Sequence, residues 1–372
     1  MQKPLVSLHL PASLSTLTAL SLSLMAGMTV LATRVQALTF NFIYDPTLDP
    51  NALAGFQAAG QIWSSYLLDD VTVNLEIGFS DLGTDVLAQA SSIESLYSYT
   101  AFRQALFDDI TSDQDAIAVS SLANGPSIDL LINGTADNPA GPGSLLPYVD
   151  NDGGTNNSLI SLTNANAKAL GLLDANGTAI DASITFSSAF NWDFDRSDGI
   201  TLDVFDFVGI AVHEIGHALG FLSGVEALDT NLSNPNGPFS DDAFQFVTPL
   251  DLFRYSTQST TAGVVDWTAD NRDKYFSLDQ GVTSLGGFST GSDFGDGQQS
   301  SHWKDSLGLG IMDPTIAPGE LAEVTDLDLL AFDVIGWDEA EPPKSVPEGM
   351  PLLGLWGVGM LFLQQKARQF LP

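Results

Sequence analysis

Two of the four histidines in this 372-residue chain, His213 and His217, stand four positions apart with Glu214 between them. On an α-helix that spacing stacks both imidazoles on one side, roughly 6 Å apart along the axis. Such a pair can grip one metal ion. The adjacent carboxylate can reach a water on that ion without becoming a ligand. Two imidazoles for zinc and a glutamate as general base is the logic of an HExxH segment. A histidine pair on a helix is otherwise an ordinary surface or core feature, and here the neighbouring residues weigh against that reading.

The element that must carry the pair is Asp206 to Phe221, DFVGIAVHEIGHALGF. Val208, Val212, Ile215 and Leu219 recur at steps of four, three and four, which predicts one apolar helical face directed into a core. Asp206 is the expected N-cap and Gly220 the expected residue just past the C-terminal end. Gly209 and Gly216 inside the helix each cost about 1 kcal/mol relative to alanine, so close packing is expected at both.

A catalytic zinc takes three protein ligands and keeps one position for water. The chain has no cysteine, so thiolate ligands, disulfides and thiol catalysis are excluded. Glu226 and Asp229 lie just past the helix, and a carboxylate is an acceptable ligand. Of the remaining histidines, His9 belongs to a leader segment and His302 stands in SSHWKD. Ten residues after His302 comes Met312, in GIMDP.

Taken together, HEIGHALGF followed at a distance by SHWKDSLGLGIMDP resembles the leishmanolysin-like metzincin proteases. In the compact metzincin pattern HExxHxxGxxH a third histidine would stand at position 223, which is Ser223 here. In the leishmanolysin-like order, a long insertion separates the helix from the third histidine and the methionine turn. The resemblance implies His213, His217 and His302 as zinc ligands, Glu214 as base, and Met312 as the floor of the site. It also implies that a helix over Asp326 to Ile335 packs behind the site.

Composition narrows the partners. Against 46 Asp and Glu there are 12 Lys and Arg, a formal charge of −34, which argues against nucleic acid and anionic membrane surfaces. The first 37 residues pair Lys3 with an apolar stretch and end Val35-Gln36-Ala37, the pattern of a secretory signal peptide; a membrane anchor is the alternative. Residues 339–349 carry Pro342, Pro343 and Pro347 and read as a linker. The following residues 350–372 begin with an apolar run, Met350 to Leu363, and continue to Lys366 and Arg368. With Val346-Pro347-Glu348 before it, this tail resembles the PEP-CTERM sorting signal, although Gly349 replaces the second proline. That resemblance implies transient membrane insertion and processing at a bacterial cell envelope; a plain anchor is the alternative.

Between these ends, residues 38–338 are expected to form an α+β catalytic domain. Its expected parts are an N-terminal mixed sheet with helices, the central HExxH helix, a β-rich insertion over about 224–300, and a C-terminal helix. Strands are predicted at Leu38 to Asp45, Val71 to Phe79, Ile128 to Ile132 and Ala182 to Ser188. Helices are predicted at Asp49 to Leu68, Asp85 to Tyr97, Ala101 to Ile110, Asp113 to Leu122 and Ile160 to Leu173. Within the insertion, Phe244 to Val247, Leu250 to Tyr255 and Lys274 to Leu278 have strand character. Asp150 and Asp152, and Asp193, Asp195 and Asp198, read as turn caps, with a Ca²⁺ loop as the alternative. The expected activity is a secreted zinc endopeptidase acting on protein or peptide substrates. Its rival is a non-catalytic envelope or matrix binding protein on the same fold.

Overall fold

A computed structural model describes residues 38–340 except 232, 235 and 236. The leader, the tail and all but the first two residues of the linker lie outside the described residues. Among the described residues no helix is long and apolar enough to cross a membrane.

The protein is a mixed α/β structure with several small sheets, consistent with an α+β class. Strand Thr39–Tyr44 and strand Thr72–Ser80 run parallel, joined through helix Pro50–Tyr66. Strand Ala182–Ser187 continues the sheet in parallel, and Ala88–Ser92 closes one edge antiparallel to it. Asp49 caps the long helix by accepting from Asn51 N–H, while Ala52, Phe56, Ala59 and Trp63 form its buried stripe. That stripe lies against the central helix, Phe207–Leu219.

Aromatic rings lock the contact. Phe56 meets Phe207 edge to face at 5.1 Å and Phe186 at 5.2 Å, and Phe207 lies 4.3 Å from Phe186. Trp63 donates its indole N–H to the Val212 carbonyl at 2.9 Å, tying the two helices together one residue before His213.

Three sequence expectations are corrected. Asp85 to Tyr97 is not a helix: it forms strands Ala88–Ser92 and Glu94–Ser98, the second pairing antiparallel with Leu159–Thr163. Ala, Leu, Gln and Glu in this stretch have local helical preference, and pairing with two partner strands overrides it. Ile160 to Leu173 accordingly splits into that strand and a short helix, Asn164–Ala169, capped by the Thr163 side chain. In the insertion, Phe244 to Val247 forms no strand and Leu250–Phe253 is a 3₁₀ turn. The insertion is nonetheless built on strands Arg254–Tyr255, Lys274–Phe276 and Gly286–Phe288, and Val265–Asp266 joins Leu130–Ile132 in parallel.

Candidate metal centre

Asp206 is fully buried and accepts from Gly209 N–H at 2.9 Å, capping the central helix as its position predicts. Arg196 reaches the same carboxylate at 2.9 Å. The helix ends at Gly220 with φ of 119°, a left-handed conformation that glycine adopts without strain. Close packing accounts for the internal glycines. A Cβ on Gly216 would stand 2.5 Å from Met312 Sδ, and one on Gly209 2.9 Å from Ala322 Cβ.

The insertion returns the chain to this helix. Trp303 forms a bridge with Phe288, and Ser289 N–H donates to the His302 carbonyl at 3.0 Å. His302 thereby arrives opposite His213 and His217. The three Nε2 atoms form a nearly equilateral triangle with edges of 3.1, 3.2 and 3.2 Å. His213 and His302 are nearly parallel, at 17°, and His217 stands almost perpendicular to both, at 87° and 89°.

The other ring nitrogens explain the convergence. Nδ1 of His213 faces the Ile311 carbonyl at 2.7 Å, Nδ1 of His217 the Phe221 carbonyl at 2.8 Å, and Nδ1 of His302 the Gln299 carbonyl at 3.2 Å. A carbonyl only accepts, so each Nδ1 carries the proton and each Nε2 is left with a lone pair. Burial holds all three imidazoles below their ordinary pKa, His302 down to about 3. Three unprotonated nitrogens thus point at one spot. Neutral imidazoles cannot satisfy one another in that arrangement, whereas a cation satisfies all three at once. The trio can hold a metal ion, and it is the group of three or more potential His or carboxylate ligands that meets within 4.8 Å among the described residues.

Glu214 lies on the same helix, 6 % exposed, and accepts a hydrogen bond from Ala90 N–H on the sheet edge. Burial pushes its carboxyl up to about 8. Met312 is fully buried, with its Sδ packed against Gly216 of the central helix.

Ser223, Glu226 and Asp229 bond elsewhere. Ser223 donates its hydroxyl to Asp251 at 2.6 Å and its N–H to Ser301 Oγ at 2.9 Å. Asp229 accepts from Asp293 and Phe294 N–H at 2.8 and 2.9 Å, and Glu226 accepts from Ser301 N–H at 3.1 Å. Both carboxylates brace the loop that carries His302. The candidate Ca²⁺ loops are organised by turn bonds: Asp152 accepts from Gly154 N–H, Asp193 from Asp195 and Thr201 N–H, and Asp195 from Ser197 N–H.

Sequence reasoning missed Asp328. It sits at the third position of helix Asp326–Asp333, fully buried, in a capping box with Thr325. Its carboxylate also accepts from Trp303 Nε1 at 2.8 Å, Ile311 N–H at 2.9 Å and Met312 N–H at 3.4 Å. One side chain therefore joins the His302 loop to the methionine turn. The Thr-x-x-Asp spacing signals the cap but not this second task. The same helix packs Phe332 against Trp63 at 4.7 Å and Phe221 at 6.0 Å, behind the site.

No protein-family model, curated protein or solved structure matches the chain.

Proposed function

We propose that this protein is an exported zinc endopeptidase with a metzincin-like site, in which His213, His217 and His302 hold the metal and Glu214 is the general base. The observation that carries the reading is the triangle of Nε2 lone pairs. Nitrogens bound to one tetrahedral zinc at about 2.0–2.1 Å stand roughly 3.3 Å apart. The observed edges of 3.1 to 3.2 Å fit that spacing. Three neutral nitrogen donors also suit zinc better than calcium, which takes oxygen ligands.

A bound zinc ion supplies Lewis acidity, acidifies water toward neutral pH and, as a neighbouring dication, stabilises the ionised form of Glu214. The backbone carbonyls of Ile311, Phe221 and Gln299 fix each imidazole's tautomer and rotation before any ligand arrives. Glu214 removes a proton from the attacking water as the water oxygen bonds to the scissile carbonyl carbon. The same carboxyl then delivers that proton to the amide nitrogen as the C–N bond breaks, so the acid and amine products balance.

Replacing Glu214 by Gln keeps the metal ligands and removes the proton acceptor. Hydrolysis of a peptide substrate is expected to fall by about 10²–10⁴, with bound zinc unchanged. Undiminished turnover by the purified variant would exclude Glu214 as the base. The export part of the proposal rests on the leader and tail sequences.

A further inference from the structure

Glu226 has the chemistry of a ligand, yet its side chain faces the turn that precedes His302. Oε1 accepts from Ser301 N–H at 3.1 Å, and Oε2 accepts from the Gln299 side-chain amide at 3.4 Å. Gln299 in turn offers its backbone carbonyl to His302 Nδ1 at 3.2 Å. Glu226 therefore grips both ends of the turn whose carbonyl sets the rotation of the third imidazole. From the other side, Ser301 Oγ accepts from Ser223 N–H at 2.9 Å, and Ser223 is anchored to Asp251. Ser300, Ser301 and His302 are all buried, so a freed N–H there has little access to water.

We infer that Glu226 is a positioning residue of the metal centre, orienting His302 through the Gln299–Ser301 turn. This inference rests on the zinc reading above. It gives a function to the helix Val225–Asn231, which starts two residues beyond the position where a compact site would place its own third histidine. The chain brings in His302 from 85 residues beyond His217 and uses Glu226 to fix it. Losing such an outer partner of a metal ligand typically weakens metal binding about 10–100-fold.

The test is competition between the full-length chain and a chromophoric chelator for zinc, across four proteins: wild type, Glu226→Ala, Glu226→Gln and His302→Ala. Glu226→Ala is expected to bind zinc about 10–100-fold more weakly. Glu226→Gln keeps an acceptor for Ser301 N–H, and the Gln299 amide can turn to meet it, so its affinity is expected within about threefold of wild type. Wild-type affinity in Glu226→Ala, with His302→Ala impaired, overturns the positioning role and leaves the metal site standing. Equal losses in the Ala and Gln variants overturn it too, by showing that the charge acts directly on the metal. An unimpaired His302→Ala protein would overturn the zinc site itself. If circular dichroism shows Glu226→Ala unfolded, Glu226→Asp replaces it. Its carboxylate is one methylene too short to reach both donors, so a loss of at least about fivefold is expected, and unchanged affinity refutes the inference.

Discussion

Replacing Asp328 by Ala should damage the proposed metal centre from behind, at a residue that hydrogen-bonds to none of the three histidine rings. Its buried carboxylate accepts from Trp303 Nε1, Ile311 N–H and Thr325 N–H at 2.8 to 2.9 Å. Each buried donor left without a partner costs about 1–3 kcal/mol, and losing a helix cap about 0.5–2. The contributions overlap, because Thr325 N–H belongs to both, and a net loss of about 3–6 kcal/mol is expected. Asp328→Asn retains one acceptor oxygen and should recover roughly half of that loss. Urea unfolding of the metal-free protein measures the difference through the midpoint at constant slope. In parallel, the zinc affinity of any folded Asp328→Ala protein should fall, since Trp303 adjoins His302 and its backbone N–H donates to the Met312 carbonyl at 3.0 Å. A stability loss below about 1 kcal/mol would refute the claim that this carboxylate joins the two loops.

Two further outcomes follow from packing and charge. Gly216→Ala gains about 1 kcal/mol of helix propensity but forces Met312 aside at a cost of about 1–3 kcal/mol, so it should be neutral to destabilising by about 2. In a Met312→Ala background the same change should become stabilising, and an identical effect in both backgrounds would contradict the packing of Met312 under this helix. Burial first, with neighbouring carboxylates adding to it, pushes Asp69 and Asp333 up to about 7 and Asp109 up to about 8. A folded state with raised carboxyl pKa values binds protons that the unfolded chain has released, so this cluster lowers stability as pH rises from about 4 through 8. Asp109→Asn should therefore raise the melting temperature more at pH 8 than at pH 5; an equal gain at both would dismiss the electrostatic origin.

The central helix was legible because cap, apolar period and terminal glycine all act within sixteen residues. Its internal glycines signal close neighbours, which are Met312 at Gly216 and Ala322 at Gly209. Strands Ala88–Ser92 and Glu94–Ser98 were not legible, because Ala, Leu, Gln and Glu favour a helix locally and only the partners Ala182–Ser187 and Leu159–Thr163 decide otherwise. His302 could be nominated from the scarcity of histidines and the methionine that follows. What places it is long-range: Ser289, Glu226 and Asp328 reach its loop from three separate segments. No local spacing encodes such a network. The roles of Glu226 and Ser223 were hidden for the same reason, since a carboxylate beside a metal helix reads equally well as ligand or brace until its hydrogen bonds are known.

The most direct test of the central claim is zinc content per chain, measured by elemental analysis after equilibration with zinc and removal of the excess. The proposed site predicts about one tightly held ion in the wild-type protein, lost on His302→Ala and retained on Asp229→Ala. A wild-type chain that holds no zinc, or a His302→Ala chain that keeps it, would contradict the three-histidine centre.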